Sequence, residues 1–330
     1  MAYDSVVVRR ATARLEQQRL DRRQECETRR AAILAEIPRA REIERELRGT
    51  YLEIARAAFK SPGAPDIGEV RERNLSLQEE RAALLAARGY GKDALDDTPL
   101  CRTCGDTGWV GTRMCECLRA LCAEEQIREL SRLLPLGEQS FDTFRLDFYS
   151  DEPWPGKPLS PRENMELVRD VCYSYASRFG RSSLHNLFLS GTPGLGKTFL
   201  SSCIARLVSE NGFSVVYDTA VNVFAQFETE KFSRESESVG EARAEKRRYL
   251  VCDLLILDDL GSELTTPMVQ SSLYTLLNTR LMEGKHTVIS SNLSIDDVYR
   301  RYTPQVASRL DGEFRTLDFY GEDLRTKRAE

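Results

Sequence analysis

The chain has 330 residues, 41% of them hydrophobic and 30% charged, with 47 Lys and Arg against 52 Asp and Glu and a formal net charge of −5. That length suits one or two globular units plus an extension, and the slightly acidic balance excludes a uniformly basic nucleic-acid binder while leaving room for a local basic groove. No aliphatic run, the longest being of the order of Leu254–Leu257, approaches the roughly 20 residues needed to span a bilayer, and the opening MAYDSVVVRR lacks the apolar core of a signal peptide. The nine cysteines therefore read as thiols or metal ligands in a reducing cytoplasm, not as disulfides.

Residues 1–98 read as a helical region. Ile33, Ile37, Ala40, Ile43, Leu47, Tyr51, Ile54 and Ala58 recur every three or four positions, which lines them along one helical stripe. Pro38 predicts a break near Ile37, because proline is tolerated only in a helix's first turn. Ser61–Gly68, with two prolines and two glycines, reads as a turn; a second helix follows from about Glu69 to Arg88, with Val70, Leu77 and Leu84 at heptad spacing. The pair predicts a helical hairpin, serving either self-association or the docking of a partner. Its charges, 19 basic against 18 acidic over residues 1–100, exclude a polybasic arm.

Residues 99–135 form a cysteine-dense module. Cys101-x2-Cys104 and Cys115-x-Cys117 stand ten residues apart, with Gly105 suited to a tight knuckle and a hairpin expected between the pairs. Four thiolates fit tetrahedral Zn²⁺, with Cys122 an alternative fourth ligand and a redox pair or free thiols the plainer readings. Such a closed site is structural, supplying the core that so short a stretch cannot build from side chains. Residues 136–165 read as a linker. From residue 166 to 330 apolar strands alternate with amphipathic helices, the signature of an α/β domain with a parallel sheet.

Within that domain Asn186–Ser190 reads as a buried strand that runs into Gly191-Thr192-Pro193-Gly194-Leu195-Gly196-Lys197-Thr198 and then an amphipathic helix. This is GxxxxGK[ST] in its required strand-to-helix context. The glycines allow the backbone to aim successive N–H groups at phosphate oxygens, and the helix N-terminus adds partial positive charge. Lys197 would neutralise the β- and γ-phosphates of ATP, and the Thr198 hydroxyl would coordinate Mg²⁺. The apolar run ending in Asp258-Asp259 reads as a buried strand whose carboxyl end opens at the ligand side. Asp258 would hold Mg²⁺ through water and Asp259 would polarise the attacking water. His286–Asn292 is a further strand; Asn292 either touches the γ-phosphate and the water or caps the helix beginning near Ser294.

From Phe141 to about Arg328 the chain resembles the AAA+ ATPases of the DnaC/DnaI bacterial helicase-loader family and the related IstB transposition helpers. SFDTFRLDFYSD (140–151), GTPGLGKT (191–198), LLILDDLGSE (254–263), TVISSN (287–292) and VASRLDGEF (306–314) carry the likeness. The resemblance implies an ATP hydrolase that self-associates through AAA+ interfaces, an arginine finger at Arg309 (with Arg300 and Arg301 as neighbouring competitors) and a cis-acting arginine at Arg325. It also implies an AAA+ core without a full C-terminal lid, since only eleven residues follow the last strand at about 314–319. In DnaI-like loaders the N-terminal region binds zinc and contacts the helicase, so the implied partners are a replicative DnaB-type helicase hexamer and single-stranded DNA. Phe224, Phe227 and Phe232, with Lys231 and Arg234, are expected either to line a DNA path or to pack a helix face. The rival readings are an IstB-like ATPase acting with a transposase and an adaptor that holds nucleotide without hydrolysing it, the latter disfavoured by the paired aspartates.

Overall fold

The structure is a computed structural model that describes residues 3–58, 66–134, 136, 139–232 and 236–327. It divides into two compact units, Ala13–Cys115 and a larger one comprising Met1–Thr12 with Glu116–Glu330. The division falls inside the first helix, α1 (Ser5–Glu36).

In the smaller unit α1 is followed by α2 (Pro38–Ala58) and α3 (Ile67–Ala86). The chain breaks at Ile37 with Pro38 opening α2, as the sequence predicts. The helical hairpin is also present, although α1 reaches back to Ser5, well before the apolar stripe begins. Val7, Ala11 and Leu15 recur every four positions and are buried, an earlier apolar stripe than the one read from Ile33 onward. Asp66 caps α3 by accepting from the Glu69 N–H. Of the turn expected at 61–68, residues 61–65 lie outside the described residues, as do the side chains of Tyr51 and Ala58. From Ile33 to Leu47 the predicted stripe is the core, whereas Ile54 is exposed. Ile33, Ile37 and Ala40 pack with Leu85 and Leu95, and Ile43 and Leu47 pack with Leu77. Beyond α3, β1 (Trp109–Val110) and β2 (Arg113–Met114) form the expected hairpin.

The larger unit begins with α4 (Glu116–Leu130) and, after a loop and a short 3-10 turn at Leu146–Phe148, continues with α5 (Pro161–Ser177). A capping box, Ser160 with Glu163, and Pro161 at the first helical position start α5. Then come β3 (Asn186–Gly191), α6 (Lys197–Glu210), β4 (Val215–Thr219), α7 (Ala220–Phe232), α8 (Ser236–Val251) and β5 (Leu254–Leu260). α9 (Pro267–Met282), β6 (His286–Ser291), α10 (Ile295–Arg301), α11 (Pro304–Glu313), β7 (Arg315–Phe319) and α12 (Leu324–Lys327) complete the order. The five strands form one parallel sheet in the order β4-β5-β6-β3-β7. This is the expected α/β P-loop core.

Alternation within each strand splits the core into two layers. Leu187, Leu189, Leu254, Ile256, Val288 and Leu317 face α5 and α6, whereas Phe188, Leu255, Leu257 and Ile289 face α7, α9 and α11. A sheet buried on both faces accounts for the continuous apolar runs of its strands. Gln126 of α4, itself buried, ties this helix to the sheet edge. Its amide donates to Ser209 Oγ and Phe213 O and accepts from the Val215 N–H. Arg280 is 1% exposed and donates to the carbonyls of Tyr249, Leu250, Cys252 and His286, so a cation closes the C-terminal end of α8.

Of the two readings open for the α7 phenylalanines, the structure selects helix-face packing for Phe224 and Phe227. Phe224 and Phe227, at 2% and 4% exposure, are packed into the second core layer with Val223, Leu255 and Leu257 and present no face to a nucleic acid. Spaced three apart on α7, they lie on its inner side. Phe232, by its side chain, and Arg234 lie outside the described residues; Lys231 is exposed. Among the described residues no helix is long and apolar enough to cross a membrane.

Candidate active site and metal centre

The strand order determines which tips meet. β6 lies between β3, which leads into the glycine turn, and β5, which ends in the two aspartates. At their carboxyl ends opens a cleft of about 580 Å³, lined by residues 193–198, Asp258, Asp259, Asn292 and Arg325 among others. Gly196 precedes α6 with φ +87, and Gly194 has φ +80; in both, the left-handed conformation favours glycine. A Cβ on Gly194 would fall 1.8 Å from Asp323 Oδ1, and one on Gly196 would fall 2.8 Å from the Tyr149 hydroxyl. The turn thus admits no side chain at either position.

Lys197 is 8% exposed, and its ammonium folds back onto the turn. Nζ donates to Gly191 O at 2.5 Å, to Thr192 O at 2.9 Å and to Asn292 Oδ1 at 2.9 Å. The other end of the same amide donates to Asp259 Oδ1 at 3.0 Å. Asn292 therefore bridges the lysine of the glycine turn and the second aspartate. The competing capping role belongs to Ser294, which begins α10 in a capping box with Asp297. Burial pulls the Lys197 ammonium down to about 8; Asp259 and Asp258 oppose this shift and the Arg325 charge adds to it.

Asp258 is 7% exposed. Its Oδ2 lies 3.4 Å from Thr198 Oγ1 and accepts from the Tyr217 hydroxyl at 2.5 Å, while its Oδ1 accepts from the Ser290 hydroxyl. A hydroxyl and a carboxylate side by side in the cleft are hard oxygen donors, a set that fits Mg²⁺ held partly through water. Asp259 has φ +55; with Asp106 it is one of two non-glycine residues with positive φ among the described residues. Both lie at the candidate sites, where such strain tends to collect. The left-handed kink turns Asp259 away from the strand and toward Asn292, and its N–H donates to Ser290 Oγ.

The two expected arginines part company. Arg325 is exposed and lines the cleft, brought there by the Leu324 N–H donating to Gly194 O. Arg309 does not reach it. Its guanidinium lies over the Tyr274 ring and donates to the Tyr274 hydroxyl and Asn278 Oδ1, in a separate cleft of about 570 Å³. Arg300 pairs with Asp297, and Arg301 donates to Glu263 O and Thr265 Oγ1.

Sequence reasoning missed three groups that shape the cleft. Tyr149, buried, donates to Leu195 O and stacks with Phe144, which packs edge-on against Phe199. Tyr149 and Phe144 belong to the 140–151 segment, whose likeness to the loaders was the available signal. Tyr217 and Ser290 flank Asp258 from the neighbouring strands, and only strand pairing reveals them.

In the cysteine module the sulfur atoms of Cys101, Cys104, Cys115 and Cys117 lie within 4.8 Å of one another. Tetrahedral zinc at 2.3 Å from each sulfur sets neighbouring sulfurs about 3.8 Å apart, so the four thiols fit that ion. Asp106 orders the knuckle by accepting from the N–H groups of Leu100 and Cys101. The Cys104 N–H, then the Cys104 thiol, bring the Cys101 thiol down to about 6, favouring the thiolate a metal requires. Cys122 is outside this group; it is fully buried on α4, and burial pushes its thiol up to about 11.

Residues 176–306 match the family model described as IstB-like ATP binding protein. Over this segment the chain is similar to that family. The chain is 26% identical over 238 residues to the phage-like element PBSX protein XkdC of Bacillus subtilis (strain 168), covering 68% of this chain and 82% of that protein. It is 31% identical over 123 residues to the replicative helicase loader DnaI of the same organism, covering 36% of each. A solved structure titled "Crystal structure of the DnaC helicase loader" aligns with 55% of this chain and 98% of that one at 17% identity, with a TM-score of 0.43. The family-model match and the sequence likeness to DnaI agree with the DnaC/DnaI and IstB-like resemblance read from the motifs.

Two outcomes follow from this geometry. Because Lys197 sheds its proton near pH 8 when the cleft is empty and regains its charge beside phosphates, nucleotide binding above that pH takes up a proton. Affinity for magnesium nucleotide falls by up to about tenfold between about pH 8 and about pH 9, and Lys197→Arg flattens the profile; an equal slope in that variant contradicts the assignment. Metal analysis of the purified chain gives about one zinc, lost in Cys101→Ser and Cys115→Ser; undiminished zinc in both variants contradicts the site.

Proposed function

We propose that this protein is an AAA+ ATPase that hydrolyses ATP and helps place a replicative, DnaB-type helicase hexamer on single-stranded DNA. The observation that carries the chemistry is the Asn292 amide joining Lys197 to Asp259 beside the Thr198–Asp258 pair. Among the relatives, the helicase-loader name of DnaI supports the choice of partner over a transposase. The IstB-like match covers the motor and bears on its chemistry alone.

In this reading the N–H groups of Gly194 to Thr198 and the start of α6 cradle the triphosphate, and Lys197 leaves its own carbonyls for the β- and γ-phosphates. Thr198 and Asp258 hold Mg²⁺, which when bound neutralises phosphate charge. Asp259 accepts a proton from the attacking water as its oxygen bonds to the γ-phosphorus and the bond to the bridging oxygen breaks. Asn292 holds Asp259 and the water in line. Arg325 stabilises the phosphate charge in cis, and Arg309 does so in the next protomer, consistent with its distance from the cleft of its own chain. Residues 1–135 dock on the helicase, zinc giving the short cysteine stretch within them its core, and the protein works in the cytoplasm.

Lys197→Ala and Asp259→Asn each lower ATP turnover, measured with helicase and single-stranded DNA present, by about 100-fold or more. Arg309→Ala binds ATP normally and is inactive alone, but an equimolar mixture with Lys197→Ala regains activity at the interfaces where an intact cleft meets an intact Arg309. Full turnover by both single variants would overturn the hydrolase reading, and a mixture that stays inactive would overturn the trans role.

A further inference from the structure

Asp258 is clamped by hydroxyls from both neighbouring strands. β4 pairs with β5 so that Thr219 stands opposite Asp258, which leaves Tyr217, two residues earlier on the same face of β4, to reach across the edge of the sheet. Its hydroxyl donates to Asp258 Oδ2 at 2.5 Å. From the other side Ser290 of β6 donates to Oδ1. A carboxylate has about four lone-pair directions; two are taken by these hydroxyls, and those left open face Thr198 and the cleft. Thr198 Oγ1 approaches the same Oδ2 that Tyr217 holds.

We propose that Tyr217 is a positioning residue for the metal: its hydroxyl fixes the Asp258 carboxylate so that the remaining lone pair of Oδ2 points, beside Thr198, at the water shell of Mg²⁺. This deepens the nucleotide reading above and rests on it. Carboxylates that bind metals through water are sensitive to such outer partners, because a rotation about the last carboxylate torsion is otherwise almost free. Tyr217 does not touch nucleotide or metal, and its ring fills the same space when the hydroxyl is removed. Ser290 has a second duty, accepting the Asp259 N–H, so its loss disturbs both aspartates.

The test uses the full chain and a fluorescent ATP analogue. Binding is measured first in EDTA and then as Mg²⁺ is added. Tyr217→Phe keeps the affinity of wild type in EDTA within about twofold but needs about tenfold more Mg²⁺ to reach the half-point of the metal-dependent gain. Ser290→Ala shows the same Mg²⁺ shift together with a loss of turnover at saturating Mg²⁺, which Tyr217→Phe largely keeps. An unchanged or lower Mg²⁺ half-point in Tyr217→Phe overturns the proposal. So does a parallel loss of binding with and without metal, which would mark a purely structural tyrosine. Wild-type protein that binds no nucleotide under either condition would instead overturn the nucleotide reading itself.

Discussion

A single amide spans the gap between the phosphate turn and the acidic strand, and the sheet exists in a form that allows it to do so. β6 sits between β3 and β5, so the residue following β6 is carried to the midpoint of the cleft. Asn292 occupies that point and satisfies both neighbours at once, accepting from Lys197 and donating to Asp259. An aspartate or a lysine there would leave one side with like charges facing each other. An amide offers one acceptor and one donor end.

The same contacts explain how the cleft accommodates a buried cation. Lys197 is held by two backbone carbonyls and the Asn292 oxygen, and its ammonium is weakened by burial. Nothing in that shell carries a full negative charge in contact with Nζ; the two aspartates act from further away. A triphosphate beside Nζ would favour its charged form, as an opposite charge at close range does. The left-handed Asp259 belongs to the same economy, since its kink is maintained by the Ser290 and Asn292 contacts.

How much of this was legible before folding varies with range along the chain. The glycine turn, the paired aspartates and the cysteine spacing are local patterns, and residues 191–198, 258–259 and 101–117 lie where those patterns put them. Pro38 likewise marked the helix break at Ile37. The strand order is a long-range property, so Tyr217 and Ser290 could not be read as partners of Asp258, nor Asn292 as the bridge, from spacing alone. Phe224 and Phe227 show the converse: an aromatic pair on one helix face has the same sequence pattern whether it meets bases or a core, and here two-sided burial of the sheet claimed it. The sequence reading also understated α1, whose early turns bury Val7, Ala11 and Leu15 at four-residue spacing ahead of the stripe that begins at Ile33.

The most direct measurement of the central claim is the single-turnover rate of ATP hydrolysis by Asn292→Ala at saturating magnesium ATP. With the bridge gone, Asp259 and the water lose their alignment while the phosphate turn and Lys197 remain, so the chemical step slows by about 100-fold although nucleotide still binds. Hydrolysis at the wild-type rate by that variant would contradict the account.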